Sequence, residues 1–284
     1  PGTSEAQKFA AYRAAGVTRL SIGVQSFDDD KLKALGRIHD RAQALAAVEA
    51  AQRHFDNFNL DLMFALPGQS LSQLRADIET ALALAPPHLS LYQLTLEPNT
   101  VFAKYPPPLP DEDSAAAMQA WIEERTAAAG YFHYEVSAYA RPGRECRHNL
   151  NYWTFGDYLG IGAGAHGKLS FPHRVVRQRR LQRPDSYLAQ TRTRRFVAES
   201  VEVARADLPF EFMLNALRLT AGVEADLFTA RTGLPMSAIA GSVERARSRG
   251  LLTSDPDRFV PTPLGRRFLS DLQALFLPPA KERT

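Results

Sequence analysis

The densest set of chemically able side chains lies in the run CRHNLNYWTFGDYLGIGAGAHG, residues 146–167. It holds the chain's single cysteine, Cys146, two positions before His148. In an extended backbone such a pair faces one side. The pair reads either as two ligands for a borderline metal or haem iron, or as a buried cysteine beside a hydrogen-bonded histidine. Tyr152 and Trp153 offer aromatic surface to a flat ligand or to a core. Gly160, Gly162, Gly164 and Gly167 let a ligand or another backbone come close. His166, beside Gly167, reads as a ligand contact or as a structural histidine. The glycines loosely match G-x-G-x-x-G, but no strand–helix unit surrounds them, which argues against a dinucleotide fingerprint. His39, His54, His88, His133 and His173 show no converging pattern and are read as ordinary.

A second set of polar residues gains meaning from the elements that carry them. Short apolar, β-prone runs at 18–26, 59–68 and 88–98 read as buried strands, and 41–54, 71–84 and 114–130 as helices, with another from residue 5 to 15. Strand–helix alternation predicts parallel βα units with right-handed crossovers. Ligands of such folds sit beyond the C-terminal ends of strands, which draws attention to Gln25 and Thr95 near strand ends. Asp61 stands among Leu60, Leu62 and Met63, where a carboxylate needs hydrogen-bond partners or a ligand. Arg37, after Gly36, reaches over the sheet or is an ordinary surface arginine. The LPGQS run at 66–70 reads as a strand-to-helix turn with an N-cap and lacks the spacing of a phosphate loop. Residues 131–140 alternate and read as one more strand.

The 284 residues, 45% hydrophobic and 23% charged, allow a sizeable core. A net charge of +3 suits an anionic ligand and is too small to argue for nucleic acid. One cysteine excludes an internal disulfide and a cysteine-rich metal site within the chain. No apolar run spans a membrane and no signal peptide opens the chain, so the expected compartment is the cytoplasm. The expected organisation is an α/β part over 1–172, a basic connector over 173–204, and a C-terminal module over 205–284 of four helices with a small β-wing, resembling a winged helix. Arg174, Arg177, Arg179, Arg180 and Arg183 in the connector, with Arg245, Arg247 and Arg249 in one helix, raise nucleic-acid binding as a third possibility, disfavoured because fold alone assigns no function.

Several stretches together resemble one family. GVTRLSIGVQSFDDDKLKALGRIHD, NFNLDLMFALPGQS, YQLTLEPNT, YEVSAYARPG, CRHNLNYW and GDYLGIGAGAHG are similar to oxygen-independent coproporphyrinogen III oxidase-like radical SAM proteins, and HNLNYW to the haem chaperone branch of that family. The resemblance implies the second half of a partial (βα)6 barrel, with S-adenosylmethionine (SAM), a 4Fe-4S cluster and haem as cofactors of the complete protein. It implies that Gln25 and Arg37 contact SAM, that Asp61 holds its ribose hydroxyls, that Thr95 lies along the adenosine and that His166 lines the pocket. It makes His148 the haem-iron ligand, with Cys146 a second and Tyr152 or Trp153 against the macrocycle. The implied function is haem binding and delivery to a haem-accepting protein; the alternative is oxidative decarboxylation of coproporphyrinogen III.

The family's three-cysteine cluster motif is absent, so this chain carries no iron–sulfur ligands. The opening PGT matches the tail of the family's E-x-N-P-G-T element, which reads as a chain whose first three βα units lie upstream. Half a barrel exposes a strand edge and an inner face. The 284-residue chain alone is therefore expected to self-associate; a cooperatively melting monomer in sedimentation and thermal unfolding would contradict this.

Overall fold

A computed structural model describes residues 8–278. The opening PGT and the first residues of the helix expected from residue 5 lie outside them. The chain divides into two compact units, Pro1–Glu145 and Cys146–Thr284.

The first unit is an α/β sheet of order β1-β2-β3-β5-β4. Strands β1 (Leu20–Gln25), β2 (Phe58–Phe64) and β3 (His88–Gln93) are parallel. Helices α1 (Phe9–Ala14), α2 (Asp29–Ala34), α3 (Arg41–His54), α4 (Leu71–Ala83), α5 (Val101–Lys104) and α6 (Glu112–Ala128) alternate with them. Helix starts follow their caps. Asp28 accepts from two backbone N–H groups of α2, and Asp40 with Gln43, and Ser70 with Gln73, close capping boxes on α3 and α4. Ser70 is thus the N-cap read from LPGQS. Residues 131–140, expected as one strand, are a hairpin of β4 (Phe132–Glu135) and β5 (Ala138–Ala140). The alternation runs unbroken through the reversal, where the Glu135 carboxylate accepts from Ser137 N and Oγ.

Strand alternation sorts the side chains. Ile22, Val24, Phe58, Leu60, Leu62, Phe64, Leu89 and Leu91 are buried in one core with Ala47, Val48 and Ala51 of α3, Leu74 and Ile78 of α4, and Met118 and Ile122 of α6. Ser21, Gly23, Asn59, Asp61, His88 and Ser90 take the opposite face. The register aligns Ser21 with Asn59 and His88 in one row, and Gly23 with Asp61 and Ser90 in the next.

The second unit opens with α7 (Arg147–Trp153) and continues through an antiparallel sheet of β6 (His166–Phe171), β7 (Arg174–Arg180) and β8 (Val197–Glu202), with α8 (Pro184–Thr191) before β8. The stretch expected as a basic connector, 173–204, is therefore ordered strand and helix. Three of its arginines are held locally: Arg177 pairs with Glu211, Arg179 with Glu199, and Arg180 donates to the Gly160 carbonyl at 2.9 Å; Val175 is buried. Residues 146–172, grouped by sequence with the first part, fold with the second. Tyr158 bridges to Lys168, and the Phe155 ring meets Phe212, which meets Phe228, at centroid separations of 5.7 and 5.4 Å. The Lys168 ammonium, buried, donates to the Phe155 carbonyl, Asp157 and Ser170, each at 3.0 Å.

The C-terminal module comprises α9 (Leu208–Ala216), β9 (Val223–Glu224), α10 (Asp226–Thr232), α11 (Ala240–Ser248), β10 (Arg258–Phe259), α12 (Pro263–Arg267) and α13 (Leu269–Ala274). In the stretch expected as a wing, 250–262, Leu252 bridges to Pro261, and β10 pairs with β9, which precedes α10. The last helix, expected as one, is two, because Phe268 at φ −112°, ψ 46° leaves helical geometry.

One buried contact tightens the first unit. The Asp77 carboxylate on α4 accepts from Ser26 Oγ at 2.6 Å and Phe27 N at 2.7 Å, tying the loop after β1 to α4. Replacing it (Asp77→Ala) leaves both donors buried without a partner and is expected to cost about 2–4 kcal/mol, read as a lowered urea midpoint with an unchanged m-value.

Candidate functional site

The polar face of β1–β3 carries a continuous hydrogen-bond network centred on Asp61. Its Oδ2 accepts from Ser21 Oγ at 2.9 Å and its Oδ1 from Asn59 Nδ2 at 2.8 Å. Asn59 Nδ2 also donates to Ser21 Oγ at 2.7 Å. Asn59 Oδ1 accepts from Ser90 Oγ at 3.1 Å and contacts His88 Nδ1 at 2.6 Å. His88 Nε2 in turn meets the Tyr134 hydroxyl at 2.8 Å. Burial pushes the Asp61 carboxyl above its ordinary pKa, and the hydrogen bonds from Ser21 and Asn59 oppose that rise. The acid in an apolar run is thus explained first by strand parity: Leu60 and Leu62 face the helices, and Asp61 faces away from them with internal partners.

Gln25 stands beside this network. Its φ of +70° is left-handed, a strained backbone for a non-glycine residue, and it coincides with a register slip against β2. The turn folds its side chain back over Gly23, where a Cβ would lie 2.8 Å from Gln25 Nε2. Gly23 is also the register partner of Asp61, so the first unit brings Gln25 and Asp61 to one place. Arg37 is exposed in the loop after α2. Thr95 is exposed two residues beyond β3, its hydroxyl donating to Glu97 at 3.3 Å. Neither is tied into the network among the described contacts. His166 belongs to the second unit, exposed at the first position of β6 opposite Arg179.

In the second unit the HNLNYW segment is helical, not extended. Successive residues turn by about 100°, so Cys146, at the helix N-cap, and His148 point apart. Cys146 is buried and His148 exposed. The same helical period puts Tyr152 under His148, with ring centroids 4.8 Å apart, and Tyr152 meets Tyr158 at 4.5 Å. The Arg218 guanidinium covers the Trp153 ring at 4.2 Å. Two of the four ladder glycines serve the chain's own backbone. A Cβ at Gly160 would lie 2.5 Å from the His166 carbonyl oxygen, and one at Gly167 3.0 Å from Gly160 N. Gly162 and Gly164 supply positive φ to the loop between them.

The radical SAM superfamily pattern matches residues 1–81, and the HemN C-terminal domain matches residues 203–268. Proteins named "Heme chaperone HemW" from Haemophilus influenzae and Escherichia coli are 45% and 46% identical over 98% of this chain and 72% and 73% of their own lengths. A protein of that name from Bacillus subtilis is 34% identical over 98% of this chain and 74% of its own. The chain belongs to the HemW family of radical SAM proteins. A solved structure described as coproporphyrinogen III oxidase (HemN) from Escherichia coli, a radical SAM enzyme, superposes with a TM-score of 0.77 at 18% identity, covering 95% of this chain and 66% of that one; it shows the fold.

Within this HemW-family chain, donors fit the three family cofactors unequally. Asp61 uses two of about four carboxylate lone-pair sites internally and retains the others for hydroxyl donors. An exposed imidazole at His148 suits an iron. A single cysteine does not fit a 4Fe-4S cluster, and among the described residues no group of three or more His, Cys, Asp or Glu is placed to hold a metal. Sequence reasoning passed over Asn59, His88, Ser90 and Tyr134. The signal was present in the parity shared by Asn59 and Asp61, and by His88 and Ser90.

His88 also gives the site a pH signature. Burial, and secondarily the Arg19 charge, lower its pKa from 6.5 to about 3. Between those values the unfolded chain binds more protons than the folded one, so stability falls as pH falls. From pH 7 to pH 5 this group is expected to remove about 2 kcal/mol. Urea unfolding across that range should show a flatter dependence in His88→Gln than in the unaltered protein.

Proposed function

We propose that this protein is a haem chaperone of the cytoplasm, binding haem and passing it to a haem-accepting protein. The observation that carries the reading is the 45–46% identity, over 98% of the chain, to proteins named for that role. No helix among the described residues is long and apolar enough to cross a membrane. The oxidase reading rests on likeness to a structure 18% identical, which speaks to fold alone.

In this reading His148 would hold the haem iron. It is exposed on α7 with Tyr152 one turn away to pack against the macrocycle. Buried Cys146 is not its partner, and Trp153 buttresses α7 from beneath Arg218. Gln25 and Asp61 would hold the adenosyl end of SAM, Asp61 as acceptor for the ribose hydroxyls, with Arg37 and Thr95 supplying outer contacts. The 4Fe-4S cluster needs more cysteines than the one in this chain.

Haem titration of the full-length protein, followed at the Soret band, tests the reading. His148→Ala is expected to weaken binding at least about tenfold and shift the band, while Cys146→Ala leaves both unchanged. An unaltered band and affinity in His148→Ala would remove His148 from the site.

A further inference from the structure

Hydrogen-bond bookkeeping fixes the direction of the network behind Asp61. Both Asn59 amide protons are committed, one to Ser21 Oγ and one to Asp61 Oδ1. Its Oδ1 can only accept, so His88 Nδ1 must carry the proton across the 2.6 Å contact. A neutral imidazole protonated at Nδ1 leaves Nε2 an acceptor, and the Tyr134 hydroxyl donates to it at 2.8 Å. The low pKa of His88 keeps it neutral throughout the physiological range. The Tyr134, His88 and Asn59 donors therefore point the same way, from β4 through β3 and β2 to the carboxylate, and Ser21 donates to it from β1. The termini of this row lie 73 residues apart in sequence, Asp61 and Tyr134 being residues 61 and 134.

We propose that Asn59, His88 and Tyr134 are positioning residues that lock the Asp61 carboxylate so that its unused lone pairs meet the two vicinal hydroxyls of a ribose. This rests on the reading of Asp61 as the ribose acceptor. The physical content is orientation. Ser21 and Asn59 each occupy one oxygen of Asp61 and so fix the plane of the carboxylate, while His88, donating to Asn59 Oδ1, prevents the Asn59 amide from flipping its oxygen toward Asp61. With the amide reversed, two acceptors would face each other at 2.8 Å. Without His88, that repulsion and Ser90 alone oppose the flip.

The test is binding of S-adenosylhomocysteine to the full-length protein by calorimetry, beside its 2′,3′-dideoxy analogue. His88→Leu is expected to weaken the ribose-bearing probe about tenfold and leave the dideoxy analogue unchanged. His88→Asn, which keeps a donor near the Nδ1 position, restores most of the loss, and Tyr134→Phe costs about threefold. A wild-type affinity in Asp61→Ala overturns the reading on which the inference rests. A weakened Asp61→Ala with wild-type binding in His88→Leu overturns the positioning chain and leaves Asp61 in place. Should His88→Leu fail to fold, the imidazole ¹⁵N spectrum of the unaltered protein decides. Protonation at Nδ1 is expected, and protonation at Nε2 overturns the inference.

Discussion

Parallel pairing of β1 with β2 and of β2 with β3 settles, row by row, which side chains share a face. Because the period of a strand is two, the burial of Leu60 and Leu62 against the helices obliges Asn59 and Asp61 to the other side. A slip of one residue would drive two polar side chains into the core and lift two leucines out of it. The polar row is thus held in place by the apolar one. The network of Ser21, Asn59, Asp61, Ser90 and His88 inherits its geometry from packing that never touches it. The bend at Gln25 belongs to the same logic. β1 leaves its register only beside Gly23, where the missing Cβ makes room for the returning amide.

The second unit solves a different problem. It carries a high density of arginine and a buried lysine, and it holds several of them by nearby partners: Arg177 by Glu211, Arg179 by Glu199 and Arg180 by the Gly160 carbonyl. Lys168 is pushed below its ordinary pKa by burial, while three acceptors and the Phe155 ring surround it. Desolvation would raise Asp157, yet hydrogen bonds from Ser170 and Lys168 bring it below its usual range. Helix α7 rests on α9 by way of the Phe155–Phe212–Phe228 series, so the exposed His148 is mounted on an aromatic base and not on a loose loop.

Much of this was legible in the sequence. The three parallel strands and their helices follow from apolar periodicity and capping residues, and Asp61 stood out as an acid in an apolar strand. What was lost shared one cause: the deciding partner lay far along the chain or on the other side of a short reversal. His88 looked ordinary because Asn59 and Tyr134 are 29 and 46 residues away. The β4–β5 hairpin hid because alternation continues across its turn. Strand β7 was masked by arginines whose counter-charges, Glu199 and Glu211, come later. Short HNLNYW carries too few turns for helical periodicity to declare itself, and so Cys146 and His148 were placed on one side when the helix turns them apart.

The contact of Gly160 with His166 and Gly167 pins both ends of the segment between them, while Ile161 stands 82% exposed above it. A span tethered at its neck behaves as a short arch and not as a free tail. Its accessible shapes are few before anything meets it, so immobilising it forfeits little chain entropy. Motion at its crest is also insulated from β6, since the strand's first rung is clamped where the arch is anchored.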